Sequence, residues 1–121
     1  GQINDFERLL TEEGTTIVKF FLLIDRDEQP ARLQARYDDP TKRWKFNMDD
    51  LAERARWDEY IRAFEDALSK CSTEAAPWYV IPANRKWFRN LAVGEILADV
   101  LEGLDPKYPP RDDLPAGVVV T

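Results

Sequence analysis

Histidine is absent from this chain, and cysteine occurs once, at Cys71. Without imidazole there is no histidine general base and no histidine-ligated zinc. A lone thiol forms neither an internal disulfide nor a cysteine metal cluster, so the expected metal-ligand set is none, and this cysteine usage suits a reducing, cytoplasmic setting. Glycine is scarce too, with five residues in 121. None falls in a G-x-x-x-x-G-K-[ST], G-x-G-x-x-G or nucleophile-elbow pattern, so no phosphate-cradling loop is present and no complete catalytic set is expected. No apolar run approaches the roughly 18 residues that cross a bilayer, and no secretory leader pattern opens the chain, so no membrane partner is expected. The opening lacks an initiator Met and begins within a helical pattern, which reads as a truncation. The formal net charge of −6 excludes a general nucleic-acid coat, which needs a basic surface.

What is present suits one soluble globular domain: 44% hydrophobic and 33% charged residues. Ile3–Glu13 reads as a helix ended by Gly14. Thr15–Ile24 is nearly continuously apolar, the pattern of a strand buried on both faces. Asp25 or Asp27 can cap a short helix reaching Tyr37, with Pro30 in its first turn. Met48–Lys70 reads as one long helix entered from Asn47. Its apolar stripe runs from Trp57 to Leu68, and Asp50–Arg54 and Asp58–Arg62 are expected as pairs on its other face. Trp78–Ala83 is a second short strand. Asn84 is expected to cap a last helix that runs to about Glu102 and ends at Gly103, with Trp87, Leu91, Leu97, Ala98 and Leu101 inward. Residues 105–121 form a proline-rich tail. The order is α/β, with two strands joined in parallel by a helical crossover. Two strands alone leave bare sheet edges, which favours completion by more chain or by a partner.

The stretch DDPTKRWKFN (Asp38–Asn47) gathers Lys42, Arg43 and Lys45 around Trp44. Arg32 and Arg36, one helical turn apart, bring the total to five cations between residues 32 and 45. They can fork onto a repeated anion such as a polyphosphate. They can equally pair with Glu28, Asp38, Asp39, Asp49 and Asp50 nearby, and composition leaves both readings open. Arg54 and Arg56 are further candidates, as are Arg85 and Lys86, which lie where a strand gives way to a helix. Asp25 ends an apolar strand as a metal-holding acid would, but Asp is also a favoured cap, and the cap reading is preferred.

Four motifs, E-Q-x-x-R (from Glu28), D-P-x-K-x-W-K (from Asp39), R-x-x-W-x-x-Y (from Arg54) and A-P-W-Y-V-I-P-A (from Ala76), are long and specific. With "INDFERLL" at one end and "LDPKYP" at the other, they resemble the carboxyl-terminal half of polyphosphate kinase family 2 enzymes. The resemblance implies a P-loop kinase-like α/β fold whose amino-terminal, phosphate-loop half is missing here. Residues 1–104 would belong to the catalytic domain, with a helical lid over about residues 26–70. It also implies Mg²⁺-dependent phosphoryl transfer between inorganic polyphosphate and AMP, ADP, ATP or another nucleotide, in a homo-oligomer. Arg32, Arg36, Lys42, Arg43 and Lys45 match the family's lid cations, and Trp44 would anchor the basic loop. The alternative is a non-catalytic homologue or interaction module.

Overall fold

Gly14 ends the first helix as expected. α1 (Gln2–Glu12) closes with Gly14 at a φ of 87°, and the Gly14 and Thr15 amides donate to the Thr11 and Leu10 carbonyls. Only a residue without Cβ takes that left-handed position at no steric cost. The computed structural model describes residues 1–110 and 117; most of the expected proline-rich tail therefore lies outside the described residues.

Two short strands, β1 (Lys19–Leu23) and β2 (Trp78–Pro82), pair in parallel in the register Lys19↔Trp78 to Leu23↔Pro82. Between them run α2 (Glu28–Asp38), a 3₁₀ turn at Arg43–Lys45, α3 (Asp49–Ala55) and α4 (Trp57–Cys71), and α5 (Lys86–Leu104) follows β2. The predicted parallel crossover is present. Neither strand is buried on both faces, however: Leu22, Leu23 and Val80 are exposed, and the fully buried apolar residues are Ala76, Ile81 and Ala83. A two-stranded sheet cannot cover its own second face, so the apolar run reads more buried than it is.

Three helix expectations change. The single helix over Met48–Lys70 is broken at Arg56 (φ −94°, ψ 18°), which ends α3 and starts α4. The two pairs expected along it give way to contacts across elements. Asp50 faces Arg36 at 3.8 Å, Asp58 faces Arg26 at 3.2 Å, and Arg54 donates to the Arg26 carbonyl and to Gln29 Oε1. On α5, Ala92, Val93, Ile96 and Val100 are the half-buried apolar positions, whereas Trp87, Leu91, Leu97, Ala98 and Leu101 are exposed. α5 is apolar around its circumference, so pattern alone could not choose which side packs. Gly103 also stays helical; Leu104 is the last helical residue, and Asp105 takes the left-handed cap at a φ of 44°.

A compact polar cluster joins the amino-terminal helix to the sheet. Lys19 Nζ lies 2.6 Å from Glu7 Oε2 and 2.6 Å from the Cys71 carbonyl, with its charge 5.2 Å from the centre of the Trp78 ring. One turn before Glu7, Asn4 Nδ2 donates to the Lys70 carbonyl, so α1 is fastened to the end of α4 at two points.

Candidate functional site

Three of the candidate cations, Arg32, Arg36 and Arg54, converge on a groove of about 560 Å³ between β1 and the α2–α4 helices. Its floor is apolar, with Phe21 of β1 packed on Phe64 of α4 at 4.7 Å between ring centres. Its rim carries Arg32 and Arg36 from α2 and Arg54 from α3, facing Asp50 and Glu53. The i,i+4 spacing that placed Arg32 and Arg36 on one face holds, and Arg54 of α3 joins them in the groove lining.

The three arginines differ in what already holds them. Arg32 donates to Glu28 Oε1 at 2.7 Å, to the Ala83 carbonyl at 2.6 Å and to the Asn84 carbonyl at 3.1 Å. Arg54 is committed to Gln29 and to backbone. Among the described residues Arg36 has only the long 3.8 Å contact with Asp50, and both side chains are 40% exposed. It is the rim cation most available to an incoming anion.

The basic loop stands on its own. Lys42 is tied to Asp39, and the hydrogen bonds from Lys42 and then Thr41 hold the Asp39 carboxyl down to about 2. Arg43 donates to the Tyr37 carbonyl and lies over the Tyr37 ring. Lys45 sits over Trp44 at 5.1 Å and has no carboxylate partner among the described residues. Trp44 is 78% exposed and does not anchor the loop. That part falls to Phe46, edge-on to Tyr37 at 5.3 Å. The cations around Trp44 keep it at the surface, because each would lose hydration if the indole were buried.

Arg56 is engaged by Glu53 and Glu59, which raise its pKa, Glu59 first; Glu53 accepts from the Tyr60 hydroxyl and raises the Tyr60 pKa. Arg85 lines a second cavity of about 360 Å³ beside Trp87 and Phe88, at the carboxyl ends of the strands, and Lys86 begins α5 next to it. The groove therefore collects Arg32, Arg36 and Arg54; the loop cations and Arg85–Lys86 lie apart from its lining.

Two residues expected as caps do something else. Asn84 Oδ1 accepts from the Asp25 amide at 3.0 Å, and Asn84 Nδ2 donates to the Asp25 carboxylate. Neither side chain caps a helix; the Asp25 carbonyl, instead, accepts from the Glu28 and Gln29 amides at the start of α2. The pair clasps the ends of both strands. Residues 59 apart in sequence gave no periodic signal for it. Among the described residues no group of three or more His, Cys, Asp or Glu is placed to hold a metal ion. The magnesium that the resemblance implies would be held mainly by the family's amino-terminal half, and the described residues supply no such ligand group.

The family described as Polyphosphate kinase 2 (PPK2) matches residues 1–109. The chain is 54% identical over 118 residues to the AMP/ADP-polyphosphate phosphotransferase of Meiothermus ruber, covering 98% of this chain and 44% of that one. It is 47% identical over 108 residues to an uncharacterized protein of Leptolyngbya boryana encoded in the chlN 3′ region, covering 89% of this chain and 79% of that one. The crystal structure of Polyphosphate Kinase 2 from Arthrobacter aurescens TC1 superposes with a TM-score of 0.86 at 56% identity, over 92% of this chain and 40% of that one. The chain thus spans less than half the length of two of these relatives. Its α/β fold is part of a P-loop kinase-like fold.

Proposed function

Because the chain belongs to the polyphosphate kinase 2 family, we propose that it is the lid-bearing part of a polyphosphate-dependent nucleotide kinase. Such an enzyme passes phosphate between inorganic polyphosphate and a nucleoside mono- or diphosphate, taking AMP or ADP to ADP or ATP. The lid comprises about residues 26–70 within a catalytic unit of residues 1–104, and residues 105–121 are its tail. The enzyme is cytoplasmic and homo-oligomeric; the open sheet edges and the exposed apolar side of α5 support association. No helix among the described residues is long and apolar enough to cross a membrane.

The observation that carries this reading is the arginine-rimmed groove, set beside a basic loop in an otherwise acidic chain. In the transfer, an oxygen of the acceptor phosphate attacks the terminal phosphorus of polyphosphate. The bond from that phosphorus to the bridging oxygen breaks, and the shortened chain keeps the electron pair. Charge spreads over the phosphoryl oxygens, so the protein contributes mostly position and electrostatics. Arg36, with Arg54 beside it, can fork onto those oxygens, while Lys42, Arg43 and Lys45 neutralise more distant phosphates. Arg56, Arg85 and Lys86 lie further from the groove and contribute long-range attraction. Magnesium, where bound, would neutralise phosphate charge.

These 121 residues alone turn nothing over, because they hold no phosphate-cradling loop. Titration of the chain with inorganic polyphosphate at several salt concentrations tests the reading, alongside a turnover assay with AMP or ADP. Binding that weakens with salt and no turnover are expected. Absence of salt-sensitive binding refutes the lid assignment, and measurable turnover refutes the inactivity. A non-catalytic module is the second reading, favoured by the Leptolyngbya relative, of which this chain covers 79%. That reading predicts tight self-association without polyphosphate affinity.

A further inference from the structure

We propose that Arg32 is a positioning residue, which with the Asp25–Asn84 clasp sets where α2 sits on the strand ends and so aims Arg36 into the groove. The inference rests on the polyphosphate reading above and revises one of its expected ligands. The Arg32 guanidinium presents five N–H donors, and three hydrogen bonds to Glu28, Ala83 and Asn84 already occupy its inner edge. Two of its acceptors are backbone carbonyls immediately after β2, so a side chain of α2 is fixed to the sheet through the main chain. The side chain of Asn84 turns the other way and holds Asp25, whose carbonyl receives the first amides of α2.

The start and the second turn of α2 are thereby both tied to Asn84, and the second turn to Ala83 as well. Arg36 follows Arg32 by one further turn on the same face, and it lacks a close partner among the described residues. A helix fastened at one end transmits any tilt to the side chains beyond the fastening. Removing the Arg32 fork moves Arg36 without touching it. The contacts also make a wall: Leu23 lines both cavities, and the Arg32–Ala83–Asn84 bonds stand between the groove and the second cavity at Arg85 and Trp87.

Polyphosphate affinity measured across a salt series separates a ligand from a positioning residue. Each cation that touches phosphate contributes about one unit to the slope of log K against log salt. Arg36→Gln is expected to lower that slope by about one. Arg32→Gln, Arg32→Lys and Asn84→Ala are expected to weaken binding several-fold while the slope stays. Arg32→Lys keeps the charge and loses the fork, so it behaves like Arg32→Gln only if geometry is what matters. Amide exchange should quicken over α2 in all three and stay unchanged in β1 and β2, which excludes general unfolding. A slope lowered by about one in Arg32→Gln makes Arg32 a ligand and overturns the proposal, as does unchanged affinity in Asn84→Ala. Loss of salt-sensitive binding in the unsubstituted chain is a different outcome: it removes the functional reading and this inference with it.

Discussion

Replacing Lys19 by Met keeps an unbranched side chain one heavy atom shorter and removes its charge. In the native chain the ammonium lies 2.6 Å from Glu7 and 2.6 Å from the Cys71 carbonyl, and the Lys19 and Glu7 side chains are only 11% and 13% exposed. The variant strands the Glu7 carboxylate in a site with little water, beside a carbonyl that has lost its donor. Breaking a buried pair by removing one partner costs about 3–5 kcal/mol. The residual exposure favours the lower end, about 3 kcal/mol, because some water reaches the carboxylate. For a chain of this size that is a fall in Tm of roughly 10 °C. Thermal and urea unfolding by circular dichroism measures it. The double variant Lys19→Met with Glu7→Leu removes the orphan charge as well, and it is expected to recover at least half of the loss. The reasoning is refuted if Lys19→Met melts within about 2 °C of the native chain, a shift of less than roughly 1 kcal/mol. It also fails if the double variant is no more stable than the single one.

Neighbouring strand positions should respond unequally: Ile81→Ala is expected to cost about 2–5 kcal/mol, and Val80→Ala much less, since Ile81 is 4% and Val80 47% exposed. Equal costs in urea unfolding would mean that the second face of the sheet is covered. Asp39 should titrate near 2 by NMR, and Lys42→Met should bring it back toward its ordinary value of 3.8. Because the folded-state pKa is the lower one, the contribution of this contact to loop order is present above about 3.8 and fades as pH falls through about 2. Trp44→Phe should shift Tm by less than about 2 °C while removing a large share of the iodide-quenchable fluorescence and leaving that of the exposed Trp87; a large loss of stability would restore it as the loop's anchor.

The elements legible in the sequence were those with a local cause. Gly14 ends α1 through its own backbone freedom, the strands are rich in aromatic and aliphatic residues, and Arg32 and Arg36 share a face because they are four apart. The misread elements had causes elsewhere in the chain. A continuous helical pattern crosses Arg56, and only the contacts of Arg54 with α2 and of Asp58 with Arg26 accompany its breaking into α3 and α4. α5 offers apolar residues on every side, so its packed face waited on the position of β2. The cap expected of Asn84 was reasonable by type, yet its hydrogen-bonding groups found Asp25 across the sheet end.

By themselves the residues of this chain determine its class and its charge: an acidic α/β unit, five cations between residues 32 and 45, and motifs dense enough to name a family. Helix, strand and motif are short-range properties, set by spacing, propensity and backbone freedom. Which of those cations is free to meet an anion was decided only by tertiary structure. Arg32 is spent on carbonyls that lie 51 and 52 residues away, and Arg36 is left with one long contact among the described residues. Availability depends on where distant backbone and side-chain acceptors come to rest, and spacing along the chain does not encode that.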